Sequence, residues 1–133
     1  MRERSLWMAE YEEGLKKGRM LGLRCRGCGA VTCPPMAVCR KCGGRELEGV
    51  EMSGRGELMT FTVIRVPPEG MQGPYAVGLV KTEEGPWVMG RLELPEGAGQ
   101  EVLGRRVRLS GAFVWSDRYS AGERVAPVFR LET

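Results

Sequence analysis

Five cysteines stand in this chain, and four of them follow the pattern C-x2-C-x10-C-x2-C: Cys25, Cys28, Cys39 and Cys42. Zinc takes four soft, deprotonated ligands at the corners of a tetrahedron, and two CxxC units on two tight turns supply them with little backbone strain. The segments CRGCG and CRKCGG repeat one another, each with a glycine just after its second cysteine. A knuckle turn needs positive φ or a close approach of backbone N–H groups to sulfur at that point. Redox dithiols, buried free thiols and a four-thiolate iron site are the competing readings, iron being the hardest to separate by residue type. Four cysteines leave no open coordination position, so the expected metal is a structural Zn2+. A segment of about 25 residues cannot offset its own conformational entropy by apolar burial, and metal binding has to supply its folding free energy.

The fifth cysteine, Cys33, precedes Pro34-Pro35 and lies outside both knuckles. The simpler expectation is a small apolar residue that covers the site, and the alternative is a reactive thiol or a fifth ligand. The chain has no histidine, and its one aspartate is Asp117. Histidine-based acid–base chemistry is therefore excluded, and a nucleophilic Cys33 would lack the usual activating base.

The elements that hold these residues read as follows. Residues 3–20 predict an amphipathic helix, with Leu6, Trp7, Tyr11 and Leu15 at three- and four-residue steps, Ser5 as a cap and Gly18 as a terminator. Residues 21–46 form the cysteine module, with Pro34-Pro35 breaking any helix between the knuckles. From residue 47 to 133 the pattern turns to strands: Glu57–Val66, Tyr75–Lys81, Trp87–Leu94, Arg105–Trp115 and Arg124–Glu132, with room for no more than a helical turn at Gln100–Gly104. The expected fold is mainly β: an N-terminal helix over 1–20, a rubredoxin-like zinc ribbon over 21–46, and a five-stranded OB-fold barrel over 47–133.

Composition narrows the partners. The net charge is +3, and ten Lys/Arg against six Asp/Glu in residues 1–50 give way to ten against eleven afterwards. Four thiolates with one Zn2+ add about −2 to the first half, which weakens an electrostatic case for nucleic acid. No stretch approaches the ~18 uninterrupted apolar residues of a membrane helix. Acidic residues also stand where a signal peptide has its apolar core, so a cytoplasmic protein is expected.

Several side chains are candidates for contact. Trp7, Tyr11 and Leu15 could pack on the chain's own barrel or dock a partner; docking is the reading adopted, because a helix beside a metal-stapled module has little core of its own to join. Arg106 and Arg108 share one strand face with Val107 and Leu109 on the other. A solvated face is the simpler reading, while phosphate contact with CoA or RNA is the functional one, with Arg118 in SDRYSAGER a third candidate. The loop PPEGMQG at 67–73 holds Met71 at its tip and reads as a connector.

The order of these pieces, namely the aromatic helix, the CRGCG…PP…CRKCGG ribbon, PYAVGLV, and VMGRLEL with Gly90-Arg91-Leu92, resembles a known family. It is the family of zinc-ribbon and OB-fold proteins associated with acyl-CoA enzymes, long described as a domain of unknown function. The resemblance covers nearly the whole chain. It implies a non-catalytic accessory subunit in a hetero-oligomer with a thiolase-like enzyme, a related condensing or aldolase-type enzyme, or an acyl-CoA hydratase, with a CoA thioester contacted through that partner. Two departures are visible: Cys33 stands where a large residue is expected, and the loop before the fourth barrel strand is short and glycine-rich. The alternative function is a single-stranded nucleic-acid-binding module, for which strands two and three offer Tyr75, Trp87, Lys81 and Arg91.

Overall fold

The computed structural model describes residues 8–67, 73–115 and 123–132. Helix α1 covers Met8–Lys16. It ends where the glycine signal places it: Gly18 has φ 81, Arg19 N–H donates to Gly14 O at 2.8 Å, and Gly18 N–H donates to Leu15 O at 3.0 Å. That pair of bonds is a Schellman cap, which satisfies carbonyls the helix leaves open. The mid-helix Gly14 has a packing reason, since a Cβ there would stand 3.0 Å from Leu21 Cδ1.

Two sheets follow. Strands β1 (Met20–Cys25), β2 (Val31–Thr32) and β3 (Leu47–Met52) form an antiparallel sheet in the order β2-β1-β3. The barrel comprises β4 (Arg55–Ile64), β5 (Tyr75–Thr82), β6 (Trp87–Glu93), β7 (Arg106–Trp115) and β8 (Arg124–Leu131), closed in the order β4-β5-β6-β8-β7. A single 3-10 turn at Gln100–Val102 stands between β6 and β7. All barrel pairings are antiparallel except β6 with β8. Five strands so connected make an OB-fold. Register shifts between Leu58 and Thr60 and between Leu109 and Gly111 let β4 and β7 bend enough to close the ring.

The ribbon reaches further than residue 46. Leu47–Met52 pairs along its whole length with β1, Cys25 opposite Leu47 and Met20 opposite Met52. The strand belongs to the ribbon sheet, and only the short link at Ser53-Gly54 leads into the barrel.

A continuous apolar core joins the parts. Tyr11 and Leu15 of α1, Met20, Val31, Cys33 and Met52 of the ribbon region, and Leu58, Val80, Val88, Leu92, Val107 and Phe129 of the barrel lie in one cluster. Helix α1 packs on β1, β7 and β8. This corrects the reading of its stripe. Tyr11 is 4% exposed and Leu15 fully buried, so both spend most of their surface inside the chain, and Leu15 offers none to a partner. The helix has a core to join after all, because the barrel flank and the ribbon's outer edge together offer one. Trp7, the third residue of that stripe, lies outside the described residues.

Gly78 of β5 faces Gly90 of β6, and both stand close to neighbouring backbone. A Cβ at Gly90 would meet Pro127 O at 2.7 Å and the Phe129 ring at 2.9 Å. Gly90→Ala should therefore destabilise the fold by about 1–3 kcal/mol through overpacking. Gly111→Ala, with nothing within 4 Å, should stay within about 0.5 kcal/mol of the parent. Urea unfolding midpoints of the two variants check this, and equal effects would contradict it.

Candidate metal centre and the surfaces around it

The two knuckles are near copies in three dimensions. Cys25 N–H donates to Ala30 O at 2.9 Å and Cys39 N–H to Gly44 O at 2.8 Å; Gly29 N–H returns to Cys25 O and Gly43 N–H to Cys39 O. Gly29 and Gly43, at φ 82 and 77, occupy the left-handed region that closes each turn. The sulfurs of Cys25, Cys28, Cys39 and Cys42 all lie within 4.8 Å of one another. Cys25 Sγ is 3.6 Å from Cys42 Sγ, and Cys28 Sγ is 3.6 Å from Cys39 Sγ. Zinc–sulfur bonds of about 2.3 Å in a tetrahedron place sulfurs about 3.8 Å apart, so the donor set fits Zn2+.

Backbone amides complete the nest. Lys41 N–H and Cys42 N–H approach Cys39 Sγ at 3.3 and 3.5 Å, and Gly44 N–H approaches Cys42 Sγ at 3.4 Å. The Cys42 and Lys41 amides pull the Cys39 thiol down to about 6, and the Cys28 amide lowers Cys25. Gly44 favours the thiolate of Cys42, yet the neighbouring sulfurs, that of Cys25 foremost, together push it up to about 11. Four thiolates this close repel one another and call for a cation between them. Below the sulfurs, Leu23 and Leu47 form a small core with Cys25 and Cys39.

Cys33 is elsewhere. It does not cover the knuckles; it belongs to the main core beside Tyr11, with Sγ 3.5 Å from Leu21 O. Burial pushes its thiol up to about 11 and raises Tyr11 above its ordinary range. A thiol held protonated in an apolar setting is inert packing. The second knuckle is tied to β2 through Arg40, whose N–H donates to Thr32 Oγ1 at 3.1 Å and whose Nε donates to Val31 O at 2.6 Å.

The arginines separate into different environments. Arg106 is paired with Glu83 and reaches Glu132 at 4.0 Å. Arg108 lines a small groove at the junction of ribbon and barrel with Arg19, Met20, Glu51 and Arg55. Arg118 lies outside the described residues, as does Met71. Sequence reasoning named Arg91 only as a nucleic-acid candidate and missed its setting: its guanidinium carbon sits 3.7 Å from the Phe113 ring centroid and 4.2 Å from that of Tyr75. Phe113 comes from β7, far along the chain, and no local pattern announces that meeting. Earlier on the same face of β6, Trp87 and Met89 point outward, 50% and 64% exposed. They line an open groove of about 610 Å³ with Met8, Leu79, Trp115 and Pro127. Among the described residues no helix is long and apolar enough to cross a membrane.

Two family profiles match in tandem: the ChsH2 rubredoxin-like zinc ribbon domain over residues 13–48 and the ChsH2 C-terminal OB-fold domain over 49–112. A DUF35 domain-containing scaffold protein of Pyrococcus furiosus is 36% identical over 101 residues, which cover 70% of this chain and 74% of the relative. The chain belongs to the DUF35 family. The profile boundary falls inside β3, the strand that pairs with the ribbon and feeds the barrel. Among other relatives, the benzoylsuccinyl-CoA thiolase subunit BbsA of Thauera aromatica is 35% identical over 72 residues, 54% of this chain and 50% of that one. A solved structure described as the Ltp2-ChsH2(DUF35) aldolase superposes with a TM-score of 0.68 at 28% identity, covering 92% of both chains. The zinc ribbon and the DUF35 barrel are thus established for this sequence.

Cys39→Ala should abolish stoichiometric zinc binding, measured by metal analysis of purified protein, whereas Cys33→Ala should keep one zinc per chain. Equal zinc content in the two variants would contradict the assignment of ligands.

Proposed function

We propose that this chain is a non-catalytic accessory subunit of an acyl-CoA-processing enzyme, most naturally of the thiolase type, and that its zinc is structural. The observation that carries the reading is its likeness to a protein named as a thiolase subunit and to the DUF35 component of an aldolase structure. The metal supports it: four sulfurs fill a tetrahedron, and the coordination leaves no position for substrate.

The exposed groove of Met8, Trp87 and Met89 suits a protein partner, since apolar anchors of this kind carry most of the binding energy at interfaces. Trp7, next to Met8 in sequence, stays in the proposal as an anchor. A finer part of the reading is that the chain contacts CoA held by its partner. Arg108 is the candidate for that contact: it lines the junction groove, whereas Arg106 is engaged with Glu83 and Glu132.

Tagged protein co-expressed with its genomic neighbours should retain a thiolase-like, aldolase-like or hydratase-like protein through a high-salt wash, identified by mass spectrometry. Trp87→Ala should weaken that association about thirtyfold or more, in line with ~2 kcal/mol for an interface anchor, without loss of zinc. Recovery of the chain alone, or with nucleic acid that salt removes, would sink the accessory reading.

A further inference from the structure

Arg91 is a charge in an unusual setting. It extends from β6 between the rings of Tyr75 and Phe113, and its Nη1 is shut off from solvent with no hydrogen-bond partner. Burial lowers its pKa from the ordinary guanidinium value. No ion pair to it is formed by any described residue. Two aromatic faces and an enclosed Nη1 describe a guanidinium that is partly desolvated and held in one plane, with no ion-pair partner among the described residues.

Beside it lies a groove of about 460 Å³, within the size range of small-molecule sites. Arg91 lines this groove together with the apolar surfaces of Phe61, Val63, Tyr75, Leu94 and Ala98. The groove opens on β5 and β6, the second and third barrel strands, which form the ligand-bearing face of OB-folds. The other charged residues around it are Arg65, Glu93 and Glu96. Glu93 Oε1 accepts a hydrogen bond from Ser110 Oγ at 3.2 Å. Two guanidiniums balanced by two carboxylates give the groove no net attraction for a polyanion such as a nucleic-acid backbone, while a single negative group can still meet Arg91.

We propose that this groove binds a small organic monoanion, with Arg91 holding its carboxylate and the Phe61, Val63, Tyr75 and Ala98 surfaces holding an apolar or aromatic body. With Nη1 enclosed, the Nε–Nη2 edge of the planar guanidinium is the fork left for a carboxylate in two-point contact, and stacking fixes its plane before the ligand arrives. The site is a property of the isolated chain, so its failure would leave the accessory-subunit reading standing.

Benzoate is the probe, titrated into the full-length zinc-loaded chain labelled with nitrogen-15. Saturable amide shifts are expected at Ala76, Leu92 and Ala98. Arg91→Met should weaken benzoate about tenfold or more, as expected for a charged hydrogen-bond partner. Ala98→Phe, which fills the groove and keeps the guanidinium, should weaken it as well; unchanged zinc content and unfolding midpoint show that each variant is folded. Benzyl alcohol, with the same ring and no charge, should bind more weakly than benzoate. The proposal is overturned by an absence of saturable shifts at millimolar benzoate, by unchanged affinity in either variant, or by inorganic phosphate binding as tightly as benzoate.

Discussion

Four sulfur atoms within 4.8 Å of one another set the terms for everything N-terminal to the barrel. Cys25 closes β1 and stands opposite Leu47, so the position of its sulfur fixes the register of the whole β1–β3 ladder. That ladder carries Met20 and Met52 into the main core, which they share with Tyr11 and Leu15 of α1. The metal centre thus acts beyond the knuckles through one strand pair. A segment this small has too little apolar surface of its own, and Leu23 and Leu47 beneath the sulfurs supply only a pad.

The barrel solves a different problem. Five strands leave two edges unless the last strand joins both sides, and β8 does so by pairing with β6 in parallel and with β7 in antiparallel fashion. The close approach at Gly78 and Gly90 and the bends near Leu58 and Leu109 are what this closure requires. Closure also brings β7 over β6, which places Phe113 on Arg91. A buried N–H without an acceptor costs about 1–3 kcal/mol, partly offset by two ring contacts of about 0.5–2 kcal/mol each.

Much of this was readable from the chain. The ligand spacing, the Gly18 stop, the five barrel strands and the helical turn near Gln100 all depend on local chemistry, and local chemistry is what a sequence displays. The β3 strand was missed because LEGVEM carries charges and a glycine and offers only a weak alternation. The stripe of Tyr11 and Leu15 was legible as apolar, but its destination depended on how the ribbon and barrel sit together. Cys33 failed for the same reason: its neighbour Tyr11 is 22 residues away in sequence, and proximity to the knuckles in the chain suggested a role that three dimensions do not give it. Arg91 needed contacts between strands separated by a loop and a turn.

The position of β8 in the chain has a consequence for biosynthesis. Among the described strands it is the last to leave the ribosome, and both of its partners emerge before it. The ribbon, whose three strands and four cysteines end at Met52, can load its metal and fold while the rest is still being made. The barrel has no such early route, and β6 and β7 wait with open edges until residues 124–131 arrive. Vectorial synthesis therefore divides the molecule into a metal-nucleated part that forms early and a topologically long-range part that forms in a single late step.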